Sequence, residues 1–324
     1  MIERISRRTL LVAATAPLAV PALAQGSFPD RPVRFVVGYT PGGATDIAAR
    51  AFAPKMGDVL GQPVVVENRA GAGGNIALET VARSAADGHT VVLGTIGTLI
   101  INPMVMRMPV DPQRDLVPVS IAVDAFNILV VPAERPWRSV GDLVAAAKRA
   151  PGSLSWGHSG IGGSPQLAGL LLDRLAGIET VPVSYRGGAL VATDLISGRI
   201  DYSFATAPSV LAHVESGKLR ALAVPTSRRS RLLPDIPTVQ EGGVPDFDVA
   251  SWYAVLAPRG TPDGAVTRLS QAMNTALRDE EVVATLNRNG LEPMPTTPQE
   301  FATAWTRERE RWAPIIRDSG IRIE

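Results

Sequence analysis

Residues 33–46 read VRFVVGYTPGGATD, a short apolar run followed by a glycine-rich turn. Apolar residues then recur at helical spacing from Ile47 to Leu60, so the stretch predicts a strand, a glycine turn and a helix in that order. Residues 63–67 and 90–94 read as two further strands with a helix between them. Strands and helices that alternate at these spacings indicate βαβ units on a parallel sheet.

The same order of elements recurs in the second half of the chain. Residues 154–164 read LSWGHSGIGGS, again a short strand followed by a glycine turn. The pattern then predicts a helix over 166–175, a strand over 180–183, a helix over 189–196 and a strand over 200–204. Two such sets predict an α/β protein with two lobes of similar plan. The match is one of architecture and does not extend to individual residues.

Two long extended segments are predicted to connect the lobes. They cover residues 121–131 and 250–257, and both are rich in β-branched and aromatic residues. The mostly helical remainder of the chain is predicted to return to the first lobe. The predicted boundaries are 26–125 plus 251–324 for the first lobe and 126–250 for the second.

Composition narrows the class of protein. A chain of 324 residues is long enough for two hydrophobic cores. Its 45% hydrophobic content and net charge of +1 exclude a disordered chain and give no reason to expect a nucleic-acid partner. The absence of cysteine excludes a disulfide scaffold, a thiol nucleophile and a cysteine-ligated metal. The three histidines show no metal-ligand spacing, so no metal and no cofactor are predicted.

The first residues, 1–24, have the pattern of a cleaved export signal. A basic start containing Arg7 and Arg8 precedes an apolar stretch that is too short to span a bilayer. The small-residue pattern at 22–24 predicts cleavage before Gln25, and hence a periplasmic protein. The paired arginines fit a twin-arginine signal. Ordinary Sec export and a basic N-terminus on a cytosolic protein are the alternatives.

The two glycine turns are the predicted ligand site. Ligands of open parallel sheets bind beyond the carboxyl ends of the strands, where both turns lie. Each turn begins a helix, so free backbone N–H groups and the positive end of the helix dipole favour an anion there. We therefore expect a clamp, with one carboxylate at 39–46 and the other end of the ligand at 157–164. Thr45, Ser159 and Ser164 can add hydroxyl donors, and the alternative is that both turns are ordinary helix caps.

Asp46, in the first turn of its helix, has two interpretations. The favoured one is capping of the helix and complementation of its dipole. The other is an acceptor for an ammonium or hydroxyl group of the ligand.

A second hypothesis is an exported serine hydrolase. Residues 157–161 read GHSGI, which almost matches the G-x-S-x-G pattern around a nucleophilic serine, here Ser159. Ile161 stands where a small residue is needed, and a triad would require His89 or His213 close by. The binding protein is therefore preferred to the enzyme.

Several longer stretches resemble one family over nearly the whole predicted mature chain. They are PGGATD at 41–46, LGQPVVVENRAGAGGN at 60–75, ADGHT at 86–90, PVDP at 109–112, LPDIPTVQE at 233–241 and APRGTP at 257–262. Together they resemble the Bug family, the extracytoplasmic solute-binding proteins of tripartite tricarboxylate transporters.

The resemblance implies a two-lobed periplasmic binding protein of type II topology that is not an enzyme. It implies a small organic-acid ligand, membrane permease subunits as partners and a periplasmic location. We also expect a monomer. The ligand-binding positions carried over from the family are Tyr39, Gly42, Gly43, Thr45, Asp46, Thr95, Thr98, Ser159, Gly160, Ser164, Ala205 and Thr206.

The sequence departs from the family pattern at the predicted cleft. Residues 38–40 replace a more apolar run, and Gly163 and Pro165 stand where threonine and histidine-like residues are frequent. Ala205 stands where an aspartate is often found, which favours a dicarboxylate, keto acid or aromatic acid over a ligand with an α-ammonium group. A periplasmic sensor that presents its ligand-bound face to a signalling receptor is a third hypothesis.

Overall fold

The computed structural model describes residues 28–319 except Ile161 and Arg186, so the predicted export signal at 1–24 lies outside the described residues. The strands are β1 (Val33–Val37), β2 (Val64–Asn68), β3 (Thr90–Thr95), β4 (Leu116–Asp124), β5 (Asn127–Pro132), β6 (Ser155–His158), β7 (Val181–Ser184), β8 (Ser203–Thr206), β9 (Leu219–Ala223), β10 (Trp252–Pro258) and β11 (Glu292–Pro293).

Helices lie between most of these strands. They are α1 (Ala44–Leu60), α2 (Asn75–Ala82), α3 (Asn102–Val105), α4 (Pro112–Asp115), α5 (Val140–Arg149), α6 (Ser164–Ala176), α7 (Gly188–Ile196), α8 (Ala207–Glu215), α9 (Asp263–Ala276), α10 (Glu280–Arg288) and α11 (Pro298–Ser319). Within the described part of the chain, no helix combines the length and apolar character needed to cross a membrane.

The strands form one sheet in the first lobe and two linked sheets in the second, and five strands of each lobe follow the same order. The first sheet runs β11-β4-β10-β3-β1-β2. In the second lobe β7 pairs with β6, and β8, β5 and β9 form a three-stranded sheet. A parallel bridge between Trp156 and Tyr202 joins these two groups of strands. The order β2-β1-β3-β10-β4 in the first lobe therefore matches β7-β6-β8-β5-β9 in the second.

The sheets are mixed, whereas the βαβ pattern predicts parallel ones. The strands β1, β2 and β3 are parallel, as expected, but β10 is antiparallel to both β3 and β4. In the second lobe β5 is likewise antiparallel to β8 and β9. The chain comes directly from the other lobe into β5 and into β10. These two strands are therefore antiparallel to their neighbours, unlike strands that are connected by a helix within one lobe.

The two crossings between the lobes lie side by side. The extended segment 121–131 divides into β4 and β5, and the chain changes sheet at Ala125 and Phe126. The Ala125 N–H donates to the Ser251 carbonyl oxygen at 3.0 Å, just before β10 begins. Strands up to β4 and from β10 onward belong to the first sheet, while the lobe boundaries at individual residues stay a prediction.

Apolar helix faces pack against the sheets of both lobes. Phe52 of α1 packs edge-on against Phe35 of β1, with ring centroids 5.4 Å apart. The helix α11 packs on β4 and on the segment after β3, where the Trp305 indole N–H donates to the Leu99 carbonyl oxygen at 3.2 Å. Burial of such aromatic side chains is the largest source of stability in a core of this kind.

Candidate functional site

The turn before α1 needs a glycine at position 42. Gly42 has φ +81°, a left-handed conformation that costs a residue with a Cβ roughly 1–2 kcal/mol. The N-cap residue is Gly43, with φ −78° and ψ 166°, so no N-cap side chain bonds to the free N–H groups of the helix. The first N–H groups of α1, those of residues 44–46, have no carbonyl partner within the helix. They are the donors of the predicted anion site.

Asp46 anchors this turn from inside. Its carboxylate accepts hydrogen bonds from the Gly42 N–H at 2.9 Å and the Arg50 Nε at 2.9 Å. The Asn68 side chain donates to the same carboxylate at 2.9 Å and to the Tyr39 carbonyl oxygen at 3.1 Å. Burial acts to raise the pKa of Asp46, but these hydrogen bonds outweigh it and hold the pKa below its usual value. The geometry is that of a cap, and contact with a ligand stays a prediction.

Tyr39, Thr95 and Thr98 come together at the end of β3. The Tyr39 hydroxyl donates to the Gly73 carbonyl oxygen at 3.2 Å and lies 3.1 Å from the Thr95 Oγ1. The Thr98 Oγ1 accepts from the Thr95 N–H at 2.9 Å. Burial raises the pKa of Tyr39 more than the hydrogen bond with Thr95 lowers it, so the phenol is neutral. A Cβ on Gly74 would lie 2.7 Å from Thr98 Cγ2, which explains the glycine there.

The second-lobe turn closes in the same way. The Gly162 N–H donates to the Gln166 Oε1 at 2.7 Å, the same four-residue step as from Gly42 to Asp46. Gly162 has φ +76°, and Gly163 caps α6 with φ −75° and ψ 157°. Both turns therefore present the start of a helix with nearly the same backbone.

The donors of the second turn differ from those of the first. Pro165 lacks an N–H group, and the Gln166 N–H donates to the Gly163 carbonyl oxygen at 3.0 Å, so the Ser164 N–H is the free donor at the start of α6, against three in α1. The buried Ser164 Oγ lies 2.7 Å from the Ser251 Oγ, which ties the turn to the second crossing. Ser159 and Gly160 are half-buried, and Gly160 has φ +154°.

The segment after β3 in the first lobe matches the segment after β8 in the second. The match adds Ser209, which was not predicted from the sequence. In the first lobe the Thr98 Oγ1 donates to the Thr95 carbonyl oxygen at 3.1 Å. In the second lobe the Ser209 Oγ donates to the Thr206 carbonyl oxygen at 2.7 Å, with the two hydroxyl oxygens 3.1 Å apart. Ser209 also lies against Gly188, as Thr98 lies against Gly74. A hydroxyl residue three positions after the strand end is the signal that could have identified it.

Ala205 is placed differently from its neighbour Thr206. Its side chain is 4% exposed and belongs to an apolar cluster with Ile128 and Val191. The side chain at this position therefore packs in the core of the second lobe. The alanine at this position therefore gives no reason to disfavour a ligand with an α-ammonium group.

The second-lobe turn lies against the first-lobe segment that follows β3. A Cβ on Gly97 of the first lobe would lie 3.0 Å from the Gly162 carbonyl oxygen of the second. A Cβ on Gly162 would lie 2.7 Å from Asn102 Oδ1, and Asn102 itself donates to Asn75 Oδ1 at 2.9 Å. The structure thus brings the turn around Gly162 close to Gly97, which lies between the predicted residues Thr95 and Thr98.

The arrangement around Ser159 lacks the base that a serine nucleophile needs. Among the described residues, none forms a hydrogen bond with the Ser159 side chain. The neighbouring His158 uses Nδ1 to donate to the Gly160 carbonyl oxygen at 2.9 Å, and burial lowers its pKa. His89 lies at the opposite end of β3, between Asp30 and Asp87.

Comparison with known proteins places the chain in a family. Residues 48–321 match the model of the tripartite tricarboxylate transporter family receptor. The protein belongs to this family. BugT of Bordetella pertussis is 36% identical over 313 residues, covering 96% of both chains, so the predicted resemblance to the Bug proteins is confirmed.

Solved structures confirm the two-lobed periplasmic binding protein fold. The R. palustris protein Rpa4515, solved with adipate, superposes with a TM-score of 0.83 at 36% identity, covering 91% of this chain and 99% of that one. MatC from Rhodopseudomonas palustris, solved with bound malate, superposes with a TM-score of 0.79 at 31% identity, covering 89% and 100%. Both of these similar proteins were solved with dicarboxylates.

Proposed function

We propose that this protein is a periplasmic solute-binding protein that captures a small organic carboxylate between its two lobes. It delivers the ligand to the membrane subunits of a tripartite tricarboxylate transporter. The observation that carries the proposal is the pair of matching turns, closed by Gly42 with Asp46 and by Gly162 with Gln166. The first turn leaves the N–H groups of residues 44–46 free and the second leaves that of Ser164, so each turn can take one end of the ligand.

The chemistry of the cleft suits a carboxylate held mainly by neutral donors. The hydroxyl groups of Tyr39, Thr95, Thr206 and Ser209 lie at strand ends beside the turns. Asp46 is already compensated by Arg50, so it need not repel an anion. The adipate and malate bound by similar proteins support a dicarboxylate of four to six carbons.

Lobe closure is the mechanism. The ligand bridges two half-sites that lie on different sheets, so it stabilises the closed arrangement over the open one. The two crossings, which touch at Ala125 and Ser251, are the segments that bend. Membrane subunits would then bind the closed form.

Thermal shift and calorimetry with succinate, malate, glutarate and adipate test the proposal. A binding acid raises the free energy of unfolding by about 2.7 kcal/mol at a hundredfold excess over Kd. Turnover of an ester without any stabilisation by these acids would contradict the proposal and favour the hydrolase.

A matched pair of variants locates the site. Gly42 has φ +81° and Gly152 has φ +71°, and a Cβ on either would meet no atom within 4 Å. Gly42→Ala and Gly152→Ala therefore carry the same backbone strain, roughly 1–2 kcal/mol. Only Gly42→Ala is expected to weaken carboxylate binding. Equal affinity of the two variants would place the site elsewhere.

A further inference from the structure

The side chain of Asn127 is buried without hydrogen-bond partners. It is 0% exposed, and neither Nδ2 nor Oδ1 bonds to any of the described residues. A buried carboxamide usually bonds through both atoms, because leaving them unpaired costs the desolvation of each group. Asn102, a buried asparagine of the first lobe, by contrast donates to Asn75.

Asn127 lies at the cleft. It is the first residue of β5, immediately after the crossing at Ala125 and Phe126. Its Cα is paired with that of Thr206 on the antiparallel neighbour β8. Residues directly opposite in an antiparallel pair point to the same face, so the carboxamide shares a face with the Thr206 side chain, whose hydroxyl lies 3.1 Å from the Ser209 Oγ.

The apolar core cannot satisfy this carboxamide. The next pair on the same face is Leu129 with Phe204, and Phe204 stacks on Phe247 with ring centroids 5.5 Å apart. Along this face of the sheet, polar groups are therefore available to Asn127 from the strand end beside the crossing and not from the core.

The first lobe has a polar residue at the equivalent position. Tyr253 of β10 is paired with Thr95, as Asn127 of β5 is paired with Thr206. Each crossing strand thus adds one neutral polar side chain beside a pair of hydroxyl residues. The two turns would take the ends of a bound acid, which leaves the crossing strands beside its middle.

We propose that Asn127 is a specificity-determining residue that hydrogen-bonds a hydroxyl or oxo substituent on the central carbons of the bound carboxylate. This inference rests on the proposed function. The NH₂ group of a carboxamide can donate to an oxo group. With a hydroxyl group, the carboxamide can either donate through its NH₂ or accept through its oxygen. A methylene at the same place would leave it unpaired, and sites built to bond a polar group strongly reject the analogue that lacks it.

Calorimetry with matched acids tests the proposal. Succinate against malate and glutarate against 2-oxoglutarate differ by one substituent each. Of malate and 2-oxoglutarate, one will bind the wild-type protein more tightly. We expect that acid to bind at least about tenfold more tightly than the unsubstituted acid of its pair. Asn127→Leu, which keeps the branched shape, should reduce the ratio to less than about threefold, mainly by weakening the substituted acid.

The outcomes separate the two proposals. Binding with a ratio that Asn127→Leu leaves unchanged, or wild-type preference for the unsubstituted acids, overturns the role of Asn127 alone. No binding of any of these acids by the wild-type protein overturns the proposed function.

A measurement without ligand provides a second test. Because the Asn127 carboxamide makes no bond to the described residues, Asn127→Leu should leave Tm unchanged or raise it. Asn102→Leu, which breaks a bond of 2.9 Å, should lower Tm. An equal fall in Tm for both variants would mean that Asn127 has a structural role, and would overturn the proposal.

Discussion

The first-lobe turn at Gly42 and the second-lobe turn at Gly162 have the same backbone but different anchors. In the first, Asp46 accepts from a backbone N–H, an arginine and an asparagine. In the second, the Gln166 side chain accepts from one backbone N–H. Each anchor holds a glycine turn at the start of a helix by accepting a hydrogen bond from the backbone N–H of the glycine. The charged solution needs Arg50 and the other donors to compensate the burial of the carboxylate.

The difference also shows how the second turn is coupled to the rest of the molecule. Ser164 bonds to Ser251 at the second crossing, whereas Ala44 stands at the equivalent place in the first lobe. The first turn is therefore built within its own lobe, and the second depends on the connection between lobes. Closure should alter the second half-site more than the first.

The largest expected effect is on the charged anchor. Asp46→Ala removes a buried acceptor of three donors and should lower the free energy of unfolding by about 3 kcal/mol, since bonds to charged groups contribute most. Urea denaturation measures it. A loss no larger than that of Gln166→Ala would remove the distinction between the two anchors.

The charged anchor should also make the first turn sensitive to acid. The pKa of Asp46 is lowered in the folded protein, so its contribution to stability is present above the unfolded pKa of about 3.9 and is lost as the pH falls through the folded value. Asp46→Asn should remove this part of the acid destabilisation below about pH 4. Parallel stability–pH curves for both proteins would contradict the assignment.

The neutral anchor should matter less. Gln166→Ala removes one neutral hydrogen bond and is expected to cost about 1 kcal/mol, measured by the same denaturation experiment. Its stability loss should not change between pH 3 and 7, because no charge is involved. If the loss in the free energy of unfolding grew toward pH 3 or toward pH 7, a titrating group would be acting on this turn.

The smallest effect is the coupling between Ser164 and Ser251. A double-mutant cycle with Ser164→Ala and Ser251→Ala should give a coupling energy of about 0.5–1.5 kcal/mol in the free energy of unfolding. Additive single losses would mean that the 2.7 Å contact does not tie the turn to the crossing.

The sequence predicts local features of this molecule better than long-range ones. The glycine turns before α1 and α6 follow from short patterns, and the preferred reading of Asp46 as a cap agrees with the geometry. The antiparallel placement of β5 and β10 could not be predicted, because strand order depends on pairs that are far apart in the chain. Only such long-range pairs bring Ser209 against Gly188 and Asn127 opposite Thr206.

A crystal structure of the protein with its best-binding dicarboxylate tests the central claim most directly. We predict one carboxylate within about 3.2 Å of the N–H groups of residues 44–46 and the other end of the same molecule at the turn around Gly163. A ligand held by one lobe alone, or bound away from both turns, would contradict the account.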